Sequence, residues 1–166
     1  MGHLSQFNGG EIFLDANILL YEFTSHPSFG ISCHELIAKT EEGAVKSFIS
    51  PFVITEVVHK LMIFETCDRY DIHMSAAITY LKSNPRAIKS LVQYRQALDL
   101  IYRLPHLTIL TINPTVLRQS HALIAKYQLL SSDAIHAATC FAYGVRHIAT
   151  NDKDFLRVKR LKVWLP

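Results

Sequence analysis

Apolar positions fall into two rhythms along the chain. Short unbroken apolar or β-branched runs recur at about 11–15, 46–50, 107–111, 146–150 and 161–165, as expected of strands buried on both faces. Between them, apolar residues return at the spacing of helices. The first helix is expected from near Asn17. Another fits 32–42, with Ser32 as cap and Gly43 as stop. "SPFVITE" opens a third, with Ser50 as N-cap and Pro51 in the first helical position. Further helices fit 74–82 and then 85–104, between Pro85 and Pro105. Asn113–Pro114 opens one over 114–128, and Ser131 or Ser132 caps a last one over 132–143 that Gly144 closes.

Strands alternating with amphipathic helices predict an α/β chain with a mainly parallel sheet covered on both faces. The alternation fails at about 52–105, which reads as a helical insertion between two strands of a single domain, 1–166. In such sheets, sites form beyond the carboxyl ends of strands, where the strand order reverses. Asp15 and Asp152 both stand at expected strand ends.

Composition narrows this picture a little. Hydrophobic residues make up 49% of the 166 and charged residues 19%, the balance of a compact soluble protein. The longest apolar region, "FISPFVITEVVHKLMIF", carries Glu56, His59 and Lys60 and is expected to be a buried helix, not a membrane span. "MGHLSQFNGGE" lacks the basic start and apolar core of a secretory signal. Cys33, Cys67 and Cys140 are scattered and form no CxxC, so free thiols and a cytoplasmic location are expected. The formal charge of +3 permits an anionic partner without demanding one.

The chemistry resides in acids with apolar neighbours. Asp15 interrupts "IFLDANILL", Glu56 lies in "PFVITEVVHKLMIF", Asp133 opens "DAIHAATCFAYG", and Asp152 and Asp154 follow "HIAT". Each has a plain structural role open to it: ending a strand, pairing with a lysine, or complementing a helix dipole. Gathered into one place, they would repel and raise each other's pKa. Without a cation that arrangement costs roughly several kcal/mol. A divalent ion removes the conflict, and an all-oxygen set suits Mg²⁺ or Mn²⁺ better than zinc. Ions of this kind polarise phosphoryl groups and activate water, singly or as a pair. Phosphodiester hydrolysis is the reaction to which this points.

The segments "FLDANILL", "SPFVITEVVHKL", "LLSSDAIHAATCFAYG" and "IATNDKDF", in that order, resemble the PIN domain, and most closely the VapC-type toxins of toxin–antitoxin pairs. The likeness runs through about residues 11–156. It implies a three-layer α/β/α fold and a metal-dependent endoribonuclease that leaves 5′-phosphate and 3′-hydroxyl ends. The family's acids match Asp15, Glu56, Asp133 and Asp152 as catalytic residues and metal ligands, with Asp154 as a less constant companion. Asn17 and Thr150 match supporting polar positions. One Mg²⁺ or Mn²⁺ ion, or two, is implied as cofactor. RNA is the implied substrate; a small antitoxin and a second copy of the chain are the implied partners. Ala16 stands where a Thr is usual, and the stretch between Glu56 and Asp133 is long for the family's smallest members. The basic group at 153–162 is placed to hold a phosphate backbone, through Lys153, Arg157 and Lys159.

Rival readings stay open on the residues alone. A housekeeping RNA-processing nuclease of the same family would carry the same acids. Glu56-x-x-His59 and Asp133-x-x-His136 are pairs of the kind that build di-iron sites in helical bundles. The strand signals are too many for a bundle, so His59 and His136 are expected to pack or to support ligands. A non-catalytic interaction module on the same scaffold is a third class. There is no Gly-rich phosphate loop, no G-x-S-x-G elbow and no Cys/His nucleophile arrangement.

Overall fold

A computed structural model describes residues 1–166. The strands are β1 (Gly2–His3), β2 (Gly10–Leu14), β3 (Val45–Ile49), β4 (Leu107–Ile109), β5 (His147–Ala149) and β6 (Lys162–Leu165). The helices are α1 (Ala16–Phe23), α2 (Gly30–Glu41), α3 (Pro51–Tyr70), α4 (Met74–Ser83), α5 (Pro85–Ser90), α6 (Gln93–Arg103), α7 (Pro114–Tyr127) and α8 (Ser131–Ala142). All six strands are parallel, in the order β1-β6-β5-β2-β3-β4. From β2 the chain advances to β3 and β4, then returns past them to β5 on the other side of β2. Right-handed crossovers therefore put α1–α6 on one face and α7–α8 on the other, and α1 packs on α2 and α3 while α7 packs on α8. The result is a three-layer α/β/α molecule whose main core joins 32 buried residues from both faces, Phe13, Ile49, Leu61, Ile148 and Phe155 among them. The strand order reverses between β2 and β5.

Most expected elements lie within a few residues of their predicted places; the exceptions have identifiable causes. Ser50 does cap α3, its hydroxyl accepting from the Val53 N–H, with Pro51 next. The second helix starts earlier than expected, at Gly30, and Ser32 does not cap it; the Ser32 hydroxyl donates instead to the Phe29 carbonyl. Neither Ser131 nor Ser132 caps α8, which begins after Leu130 with no side-chain cap. Asp133 sits in its first turn instead, where a negative charge complements the helix dipole.

The expected helix over 85–104 is two helices, broken at Leu91–Val92. The cause lies on α3. Both oxygens of Glu65 accept from the Val92 N–H, at 2.9 and 2.8 Å, and one also accepts from Gln93 at 2.8 Å. A carboxylate from another element thus caps α6 and diverts the chain. The insertion between β3 and β4 is accordingly four helices, α3–α6. The first strand escapes pattern reading because it has two residues. Gly2 lies so close to Trp164 that a Cβ there would come within 2.5 Å of the indole ring.

No helix is long and apolar enough to cross a membrane. The long apolar region becomes β3 and α3, with Val53, Val57 and Leu61 buried. Cys33 and Cys140 are buried and Cys67 is half-buried, all as free thiols.

Candidate functional site

Register builds the centre of the site. Leu14 of β2 pairs with Ala149 of β5, so the next residues, Asp15 and Thr150, face each other just past the carboxyl ends of neighbouring strands. The Asp15 N–H donates to the Ala149 carbonyl at 3.0 Å, continuing the ladder by one bond. Asp15 is also the residue before α1, and its Oδ1 accepts from the Ala16 N–H at 2.7 Å. Its Oδ2 accepts from Asn17 Nδ2 and from the Thr150 hydroxyl, both at 2.6 Å. Thr150 Oγ1 in turn accepts from Asn17 Nδ2 and from the Asp152 N–H. Asn17 Oδ1 accepts from the Asn151 N–H, closing the loop after β5 onto α1. Asn17 and Thr150 thus hold the carboxylate of Asp15 in one orientation.

The remaining acids arrive from three other segments. Glu56 projects from the second turn of α3, half-buried, with Lys60 one turn further along and 2.8 Å from its Oε1. Such a half-exposed pair contributes little to stability. Asp133, from the first turn of α8, is half-buried. Burial pushes its carboxyl up to about 6, and Asp152, Asp15, Asp154 and Glu56 all push in the same direction. Four acids near enough to act on a fifth make one negative hollow. Asp152 caps the 3-10 turn Lys153–Arg157, its Oδ1 accepting from the Asp154 N–H at 2.8 Å. Asp154 is engaged by Arg157 on the same turn.

Asp15 is only 7% exposed. Burial raises its carboxyl above the usual range, against the opposing pull of His136 and of its hydrogen bonds. His136, 1% exposed on α8, has its Nε2 3.9 Å from Asp15 Oδ1. Burial lowers its imidazole, so the neutral ring is favoured. One ligand atom each from Asp15, Glu56 and His136 lies within 4.8 Å of the others, close enough to share a metal ion.

The structure therefore brings Asp15 and Glu56 within ligand distance of each other and sets Asp133, Asp152 and Asp154 around them, near enough to interact by charge but outside that closest group. Asn17 and Thr150 bond to Asp15 directly. Sequence reasoning gave His136 only a packing or supporting role. The signal was present in Asp133-x-x-His136, since residues three apart share a helix face. His59 of α3 is exposed. The second half of a di-iron pattern is thus missing from the hollow.

The basic residues divide. Lys153 and Arg157 lie on the turn that follows Asp152, although Arg157 is occupied by Asp154. Lys159 lines a separate cavity with Gly144, Val145 and Arg146, the residues leading into β5, and so sits toward the amino ends of the strands, away from the acids at their carboxyl ends. Arg160 and Lys162 stack over Phe141 and Trp164. A larger cavity of about 550 Å³, lined by Glu22, His34, Asp99 and Arg103 among others, contains none of the clustered acids.

Acids at a strand-order reversal, on these elements in this order, can be compared with known proteins. The PIN domain model matches residues 12–161. The chain belongs to the PIN domain family. This PIN domain is 34% identical over 155 residues to Ribonuclease VapC2 of Methanocaldococcus jannaschii, covering 92% of each chain. Its fold is similar to VapC20 of Mycobacterium tuberculosis, a sarcin-ricin loop cleaving toxin, at a TM-score of 0.60 and 14% identity, over 89% of this chain and 94% of that one. It is also similar to a chain of the VapBC2 complex of Rickettsia felis bound to a promoter DNA fragment, at a TM-score of 0.58 and 17% identity, over 94% and 98% of the two chains.

Proposed function

We propose that this PIN domain is a metal-dependent endoribonuclease and the toxin of a toxin–antitoxin pair. The observation that carries the reading is the hollow itself: burial raises the Asp133 carboxyl to about 6, and Asp152, Asp15, Asp154 and Glu56 lie near enough to add to that effect. Carboxylates arranged in this way are compatible with folding when a cation offsets their repulsion. The relative named Ribonuclease VapC2 supports nuclease activity, and fold neighbours that are VapBC complexes support an antitoxin partner.

In this reading Asp15, Asp133, Asp152 and Glu56 hold Mg²⁺ or Mn²⁺, one ion or two, with Asp154 assisting. The residues fit such a group, since they offer mainly carboxylate oxygens and a buried imidazole without a partner. When bound, the ion supplies polarisation of the phosphoryl oxygen and a more acidic water. Thr150 and Asn17 restrain Asp15 so that its free lone pairs face the hollow. Glu56, on a helix and paired only with half-exposed Lys60, is the side chain placed to orient an attacking water. Lys153 stands on the rim, where an RNA phosphate can approach; Arg157 joins it only by leaving Asp154, and Lys159 is placed too far round the molecule to help directly. A homodimer and a basic antitoxin segment seated near the acids belong to the same proposal.

Asp15→Asn is the deciding test. It keeps a near-isosteric side chain and removes the charge at the centre. Cleavage of single-stranded RNA in Mg²⁺ or Mn²⁺ is expected to fall by about two or more orders of magnitude, with thermal unfolding of the ion-free protein little changed. Cleavage at the unmodified rate would overturn the assignment. Growth arrest on expression, relieved by a co-expressed neighbouring small protein, would support the toxin role.

A further inference from the structure

We propose that His136 is a ligand of the ion, a nitrogen donor beside Asp15 and Glu56 that biases the site toward a first-row transition ion over Mg²⁺. The inference rests on the acids binding an ion at all. Three observations favour it. His136 is buried, and neither of its ring nitrogens has a hydrogen-bond partner. Leaving a buried polar group unpaired is costly, so a side chain kept there for packing alone would be better replaced by an apolar ring. The Asp15 Oδ1 beside it lies 3.9 Å from Nε2, beyond hydrogen-bonding distance. The other ring it meets is Phe13, 5.5 Å away and tilted, which offers no acceptor.

That distance suits a shared ion better than a direct bond. Ligands about 2.1 Å from one ion stand up to about 4.2 Å apart. The donor atoms of Asp15, Glu56 and His136 already lie within 4.8 Å of each other. Donor atoms this close can be brought onto one centre by side-chain rotation. Asp133 lies three residues before His136 on the same helix, and so on the same face. Mg²⁺ prefers oxygen and retains its waters, whereas transition ions accept imidazole readily. A single nitrogen among carboxylates therefore changes the preference without changing the reaction class.

The test uses the full chain and Mn²⁺, whose unpaired electrons report their own ligands. Bound Mn²⁺ is counted by continuous-wave electron paramagnetic resonance, and a directly coordinated imidazole is read as ¹⁴N modulation in pulsed spectra. The unmodified chain is expected to bind Mn²⁺ and show that modulation. His136→Phe, which keeps a ring against Phe13, should lose it and bind Mn²⁺ at least about tenfold more weakly, with Mg²⁺ affinity changed far less. His59→Phe should alter neither. Bound Mn²⁺ without ¹⁴N modulation in the unmodified chain would overturn the ligand role while leaving the acidic ion site standing. No Mn²⁺ bound at all would overturn both. Because the unmodified spectrum decides the matter, a folding defect in His136→Phe would not protect the proposal.

Discussion

At the scale of single residues, burial and hydrogen bonding act on Asp15 in opposite directions. Three donors favour its charged form, yet burial outweighs them and raises its pKa. Thr150 is the donor with most consequences, because its hydroxyl touches Asp15, Asn17 and the Asp152 backbone at once. Thr150→Val keeps the shape and removes all three contacts. Stability should drop by about 1–3 kcal/mol, the cost of leaving buried groups unpaired. Ion affinity should fall by roughly 10–100-fold, as when an outer partner of a metal ligand is lost. Denaturant unfolding without ion, and Mn²⁺ titration of the folded protein, measure the two effects separately. Unchanged ion affinity would show that Asp15 needs no such restraint. Asp15 was legible in the sequence because a carboxylate in an apolar run stands out. The isolation of His136 was not legible, since lacking a partner depends on every neighbour the fold supplies.

At the scale of elements, the instructive feature is the break between α5 and α6. Nothing local in "AIKSLVQYRQ" ends a helix: there is no Gly or Pro. The periodicity accordingly reads as one helix. Glu65, from α3, intervenes with a carboxylate that is 4% exposed and accepts from Val92, Gln93 and Arg69. Burial pushes its carboxyl up, but these donors outweigh burial and hold it below its ordinary 4.5. A carboxyl lowered in the folded state stabilises the fold above the unfolded pKa, and that contribution disappears as pH falls through the folded value. Glu65→Gln should therefore lose about 1.5–3 kcal/mol at pH 7, the range for hydrogen bonds to charged groups. The loss should shrink on acidification below pH 4.5. Urea unfolding at several pH values checks this, and a loss independent of pH would mean that shape, not charge, holds the break.

At the scale of the whole molecule, the parallel sheet creates the site by turning back on itself between β2 and β5. Four segments distant in sequence, led by Asp15, Glu56, Asp133 and Asp152, end at that one edge. Their mutual repulsion is a cost the ion-free fold carries, so an ion that binds there should stabilise the entire domain. At a hundredfold excess over its dissociation constant, binding adds about 2.7 kcal/mol. For a domain of this size that corresponds to a rise of roughly 5–10 °C in Tm. Differential scanning calorimetry with and without Mn²⁺ should show the rise, chelation should reverse it, and Asp15→Asn should abolish it. An unmoved Tm would argue that the acids do not share an ion.

By itself the sequence determined the alternation of strands and helices, and hence the layered α/β class, because buried parallel strands and one-sided helices leave different periods in the chain. It also marked Asp15, Glu56, Asp133 and Asp152, since charge amid apolar residues is a local property. Only the tertiary structure decided that these acids meet His136 but not His59, that Lys159 lies away from them, and that Glu65 divides a helix. Those outcomes depend on strand order and on contacts between distant segments, which no local period encodes.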